Sequence, residues 1–220
     1  MTNFKKQVED LPTFNIITLG DTTVGKTSII NRYIQNIFME NTLLTCGFYK
    51  SSKEIVLKNN KKIKLNLCDT AGQEKYRSLN TQYVKNVDVV LFIFDLSNKK
   101  TFKNIKEWIE FFNTNNRSEK KSQQNIPRYL IGNKKDLERD IEKEEIDFFL
   151  AEKENKNMIY KETSAKENND EINNIFQEIG EKLYIDYIKS GKKNKKNKKE
   201  NVQLSKYTEK KKHKFLKCIV

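Results

Sequence analysis

Eight residues near the start of the chain, Gly20-Asp21-Thr22-Thr23-Val24-Gly25-Lys26-Thr27, constrain it more than anything else in the sequence. They fit the spacing G-x-x-x-x-G-K-[ST] and lie between two segments of different hydrophobic period. Before them, Phe14 to Leu19 (FNIITL) is a short apolar run that reads as a buried strand. After them, Thr27 to Gln35 places Ile29, Ile30, Tyr33 and Ile34 on one helix face. A strand that passes into a helix across a glycine-bearing loop points backbone N–H groups inward, and the helix N-terminus adds a favourable dipole. Such a turn holds phosphate. Lys26 would reach the β- and γ-phosphates and the Thr27 hydroxyl would ligate Mg²⁺, with Asp21, Thr22, Thr23, Val24, Gly25 and Ser28 completing the cradle. Alone, the motif implies only a binder of phosphate or of a nucleoside triphosphate.

The rest of the chain alternates strand-like and helix-like segments. Lys53–Leu57 and Lys62–Cys68 read as two strands joined by a turn at Lys58-Asn59-Asn60-Lys61. Val87–Leu96 is a nearly continuous apolar run, as expected of a central strand covered on both faces. Thr101–Phe112 has a helical period with Thr101 as its N-cap. Arg128–Ile131 and Met158–Tyr160 are further strands, and Glu142–Glu152 and Asn169–Ile188 further helices, the former with Ile146, Phe149 and Leu150 inward. Alternation of this kind predicts an α/β fold: a six-stranded, mostly parallel sheet with one antiparallel edge strand and helices on both faces.

Charge divides the 220 residues unevenly. Lys189–Val220 holds 13 Lys and 2 Glu, a net of +11 against +13 for the whole chain, which leaves +2 for everything before it. The basic character belongs to a Lys/Asn-rich tail, so a nucleic-acid-binding domain is excluded as the reading of the folded part. The tail composition predicts disorder. We therefore expect an N-terminal extension at 1–12, a nucleotide-binding domain at 13–188 and a polybasic tail at 189–220. Cys46, Cys68 and Cys218 are odd in number and imply no disulfide framework. No apolar run reaches the roughly 18 residues of a membrane span, and the first ten residues lack an apolar signal region. A reducing, cytoplasmic setting is expected.

Three more motifs follow at strand ends. Asp69-Thr70-Ala71-Gly72-Gln73 supplies a carboxylate for a metal, a Gly72 N–H for a γ-phosphate, and in Gln73 a side chain that can orient an attacking water. Asn133-Lys134-Lys135-Asp136 follows the Arg128–Ile131 strand. Asp136 can accept from both N1 and the exocyclic amine of guanine, a donor pair adenine lacks. Asn133 can bond the base and brace the loop, and the Lys134 stem can lie over the ring. Thr163-Ser164-Ala165-Lys166 follows the last strand and offers the Ala165 N–H to guanine O6.

Four motifs in this order resemble the Ras superfamily of small GTPases, a branch of the P-loop NTPases, over roughly Phe14 to Ile188. The resemblance implies the Ras-like G-domain fold, GTP and GDP with Mg²⁺ as ligands, and slow GTP hydrolysis with Gln73 and Lys26 as catalytic residues. Exchange factors, GTPase-activating proteins and effectors would be its partners through two switch segments. It assigns Thr45 to Mg²⁺ and the γ-phosphate, and Phe38 to a stacking contact near the base. Glu74-Lys75-Tyr76-Arg77-Ser78-Leu79, Tyr83 and Phe94-Asp95-Leu96-Ser97 resemble the Rab branch, which implies vesicle traffic on the cytosolic face of an intracellular membrane. The sequence departs from that pattern at Lys50 and Cys68, where Rabs carry aromatic residues, and at Thr22 and Thr23, where a side chain can crowd the attacking water. The alternatives are a GTP-dependent interaction module with negligible hydrolysis, or a Ras-like signalling GTPase. Cys218-Ile219-Val220 ends the sequence beside six Lys between Lys206 and Lys217. A prenyl group on Cys218 with electrostatic support is one reading. A solvated basic tail is the other, since a four-residue prenylation box needs three residues after the Cys.

Overall fold

The computed structural model describes residues 11–40, 48–70, 81, 83–116, 126–167 and 170–191. Six strands, β1 (Thr13–Leu19), β2 (Phe48–Val56), β3 (Lys62–Thr70), β4 (Val89–Asp95), β5 (Arg128–Asn133) and β6 (Met158–Glu162), form one sheet in the order β2-β3-β1-β4-β5-β6. Every pairing is parallel except β2 with β3, so the antiparallel strand lies at the edge as the hairpin predicts. This is the α/β arrangement that the alternating segments predict, one mostly parallel sheet with a single antiparallel edge strand.

All seven residues of β4 are buried, which explains its unbroken apolar run. Its alternate side chains feed two layers. Phe92 and Phe94 join a cluster with Phe102, Trp108, Phe112, Ile146 and Phe149, contributed by α2 (Lys99–Lys103), α3 (Ile105–Asn115) and α4 (Lys143–Ala151). Phe92 meets Phe112 edge-on at 6.0 Å, and Phe102 meets Phe149 at 5.3 Å. Against the other face, α1 (Lys26–Gln35) brings Tyr33 to stack on Phe176 at 4.0 Å. Phe176 belongs to α5, a helix that begins at residue 171; the first compact unit ends at Gly180. A Cβ on Gly180 would lie 2.7 Å from Ile55 Cδ1, so a glycine lets this helix approach the hairpin. The second unit begins at Glu181, and its described residues, 181–191, are helical.

Three local expectations are corrected. Thr101 is not an N-cap: the cap is Asn98, whose side chain accepts from the Lys100 N–H. The Thr101 hydroxyl instead donates to the Asn98 carbonyl at 2.7 Å and accepts from the Asp95 N–H at 3.0 Å. The helix expected to be continuous over Thr101–Phe112 is two, α2 and α3, meeting at Asn104. Strand β2 begins five residues earlier than its apolar pattern suggests, because Phe48 to Ser52 pair with Thr70 to Asn66 through the backbone.

Candidate functional site

The phosphate loop is shaped by two glycines. Gly20 (φ 150°) and Gly25 (φ 95°) both lie where L side chains are strained. A Cβ on Gly20 would sit 2.1 Å from the Ile93 carbonyl oxygen, and one on Gly25 2.2 Å from Asn133 Nδ2. Between them Thr23 takes φ 62°, an uncommon conformation for a β-branched residue, with its side chain exposed. Helix α1 then starts at Lys26 with no side-chain cap and no acid in its first turn, so the positive end of its dipole faces the loop without an opposing side-chain charge on the helix. Val24 is buried beneath the loop, while Thr22 and Ser28 are half-buried. Lys26 is buried, and its ammonium donates to the Gly20 and Asp21 carbonyls at 3.0 and 2.7 Å. Burial pushes its pKa down to about 8, against the pull of Asp69 and Asp21. An ammonium has three protons, so a third donor remains beyond these two bonds.

Thr27 Oγ1 donates to Asp69 Oδ2 at 2.6 Å. Asp69 is 2% exposed, and its Oδ1 is buried without a hydrogen-bond partner. Burial raises its pKa, opposed by the Thr27 bond and the Lys26 charge. A buried carboxylate oxygen left without a partner, one bond from a hydroxyl, fits a hard oxygen-seeking cation such as Mg²⁺. Among the described residues no group of three His, Cys, Asp or Glu could hold a metal. Two protein oxygens are enough when nucleotide phosphates and water fill the remaining positions, as is usual for Mg²⁺.

The base-side loops meet the phosphate loop through Asn133, the last residue of β5. Its Nδ2 donates to the Val24 carbonyl at 2.8 Å and its Oδ1 accepts from the Ala165 N–H at 3.1 Å, both buried. Ser164 Oγ donates to Asp136 Oδ1 at 2.5 Å and accepts from the Lys166 and Glu167 N–H groups. Asp136 is exposed, with its carboxylate oriented by Ser164 at the mouth of the site. Lys134 lies at φ 63° and places its ammonium 2.6 Å from Asp95 Oδ2. Phe38 is half-buried just beyond α1, and Lys166 pairs with Glu40 at 3.5 Å. Tyr83 stacks flat on Phe48, with ring centroids 3.5 Å apart. Thr45, Gly72, Gln73 and Cys218 lie outside the described residues, as does the Glu74–Leu79 signature.

Three supports of the site carry no local sequence signal. Asp21 accepts from Trp108 Nε1 at 2.8 Å and from Asn104 Nδ2 at 2.7 Å, fastening the phosphate loop to α3. Trp108 reads from sequence as core and nothing more. Asp95 reads as a strand end, yet it holds Lys134. Arg32 bonds the Ala165 and Lys166 carbonyls from α1; its only sequence signal is a basic residue in the last turn of a helix.

The Ras family model matches residues 15–185. The chain is 37% identical to the Ras-related protein RabJ of Dictyostelium discoideum over 77% of its own length and 63% of that protein's. It is 32% identical to Ras-related protein Rab-11C of the same organism, over 82% of this chain and 75% of the relative. It is 33% identical to Ras-related protein SEC4 of Saccharomyces cerevisiae, over 73% and 70%. The chain thus spans somewhat less than two thirds of RabJ and about three quarters of Rab-11C.

Proposed function

The chain belongs to the Ras family as a Rab-like small GTPase, and we propose that it is a switch that binds GDP and GTP with Mg²⁺, hydrolyses GTP slowly, and regulates vesicle traffic on the cytosolic face of an intracellular membrane. The observation that carries this reading is the Val24–Asn133–Ala165 chain of hydrogen bonds, which joins the phosphate cradle to the carboxylate-bearing loop at Asp136. One side chain thus joins the two loops that this reading assigns to the phosphates and to the base.

In this reading Asp136 accepts from guanine, the Ala165 N–H, which donates to Asn133 Oδ1, is shared with O6, and Ser164 and Lys166 shape the loop behind it. Lys26 and the α1 N-terminus hold the phosphates, and Phe38 stacks beside the base. Thr27, Thr45 and Asp69 hold Mg²⁺, which when bound offsets charge on the phosphate oxygens. Gln73 orients a water whose oxygen bonds to the γ-phosphorus as the bond to the β–γ bridging oxygen breaks, giving GDP and phosphate. Gly72 senses the γ-phosphate, so the two switch segments present different surfaces to exchange factor, activating protein and effector. The nucleotide domain is 13–188, and the tail binds anionic membrane through its lysines and a prenyl group on Cys218.

The test has two arms. Purified chain should retain GDP and GTP and compete poorly for ATP; equal retention of ATP refutes the guanine reading. Gln73→Leu should hold the triphosphate while the parent turns it over slowly. If parent and variant both fail to hydrolyse GTP, even with an activating partner, the second reading, a GTP-dependent interaction module, takes its place. Thr22 and Thr23 in the phosphate loop are the observation that favours that alternative. Cys218→Ser should move the protein from membrane to cytosol.

A further inference from the structure

We propose that Arg32 is a positioning residue for the guanine base, which ties the Thr163–Lys166 loop to α1 and so sets both nucleotide residence and base preference. The inference rests on the guanine reading above and extends it to a residue outside the four motifs. Arg32 donates through Nε to the Ala165 carbonyl at 3.0 Å and through Nη2 to the Lys166 carbonyl at 3.0 Å. Nη1 donates to the Asn36 carbonyl at 2.9 Å and to Asn36 Oδ1 at 3.2 Å. A planar guanidinium can address acceptors on two of its edges at once, which the single point of a lysine ammonium cannot. Here one edge faces the base loop and the other the end of α1, where Asn36 closes the helix at φ 57°.

The consequence lies in the Ala165 peptide groups. The Ala165 N–H is held by Asn133 Oδ1 and its carbonyl by Arg32, from opposite sides. Asn133 in turn holds the Val24 carbonyl, and Val24 leads through Gly25 into α1, which carries Arg32. These links make a closed circuit: Val24 to α1, α1 to Arg32, Arg32 to Ala165, Ala165 to Asn133, and Asn133 back to Val24. Both halves of the nucleotide site therefore share one frame. Opening the circuit at Arg32 frees the Ala165 and Lys166 carbonyls, leaves the loop to the Asn133 bond and the exposed Lys166–Glu40 pair, and the Ala165 peptide loses its fixed direction.

The experiment uses the full chain loaded with fluorescent GDP, chased with unlabelled GDP in excess Mg²⁺, for the parent, Arg32→Gln and Arg32→Lys. Arg32→Gln should release GDP about tenfold faster, the scale expected for losing charge-assisted hydrogen bonds. Arg32→Lys, which can keep one contact, should fall between. Competition by ADP should strengthen severalfold relative to GDP in Arg32→Gln, because a loosened Thr163–Lys166 loop discriminates less between the two bases. The extra acceleration produced by chelating Mg²⁺ should match the parent's, since the metal side is untouched. A merely structural role would lower the folded fraction and leave release from the folded protein, and its GDP-over-ADP preference, unchanged; that result overturns the inference. Should Arg32→Gln fail to fold, Arg32→Lys with the parent's release rate and preference overturns it equally. A parent that binds ADP as well as GDP overturns the guanine reading itself, and this inference with it.

Discussion

Replacing Asn133 with alanine should destabilise the protein even when no nucleotide is bound. The side chain is 2% exposed and makes two buried bonds to backbone, from Nδ2 to the Val24 carbonyl and from the Ala165 N–H to Oδ1. Alanine removes both and leaves a buried acceptor and a buried donor without partners. Each such group costs about 1–3 kcal/mol, so the loss should be about 2–6 kcal/mol. At roughly 2–4 °C per kcal/mol for a domain of this size, the melting temperature should fall by about 4–24 °C. Thermal unfolding by circular dichroism, on nucleotide-stripped protein and again at saturating GDP, separates two roles. If Asn133 is a structural latch, the fall appears in both states and is larger with GDP, because weakened binding also reduces ligand stabilisation. A fall seen only with GDP would mean that Asn133 is a ligand contact and no latch, and the circuit drawn through it would be wrong.

Thr23→Asn should raise the melting temperature. Thr23 is exposed at φ 62°, and asparagine tolerates that conformation better, so a gain of about 1 kcal/mol is expected; a lower melting temperature would show that the threonine hydroxyl is needed there. Asp136→Asn should shift preference from guanine to xanthine nucleotides, whose C2 oxygen seeks a donor; unchanged preference in a competition assay would remove Asp136 from base recognition. Cys68 should resist alkylation in the folded protein: burial pushes its thiol up to about 11, against the opposing charge of Lys50. At pH 7.5 only about one thiol in several thousand would then be the reactive thiolate. A Cys46→Ser/Cys218→Ser variant should therefore label with a maleimide only after denaturant is added, and prompt labelling of the native form would contradict the burial.

The strands and the loops between them were legible because their signals are local. An apolar run of buried strand, a glycine at positive φ, or a carboxylate one step past a strand end each shows within a few residues. The motif positions that the structure describes also come together: Lys26, Thr27 and Asp69 on the phosphate side, Asn133, Asp136, Ser164 and Ala165 on the other. The supports were not legible. Arg32 meets Ala165 across 133 positions of sequence, and Trp108 meets Asp21 across 87. Neither contact leaves a period or a spacing to read. Thr101 misled for a related reason: a hydroxyl that can cap a helix can equally serve a strand end, and the choice is made by the burial of Asp95 and Thr101. The front of β2 was missed because an edge strand pairs through its backbone and asks little of its side chains.

The hairpin between β2 and β3 offers a way to watch this molecule at work. Its turn brings the chain back on itself within a few residues, with Asn60 at φ 61° and Leu57 N–H bonded to the Lys61 carbonyl. It leads into the beginning of β3, whereas Asp69 lies at that strand's far end and the other ligand-side loops follow the ends of β1, β5 and β6. A fluorescent protein spliced in at Asn59-Asn60 would thus sit at the opposite pole from the chemistry. It would also leave Cys218 and its lysines unencumbered, so a living cell could report where the protein resides without a label on the very segment proposed to bring it there.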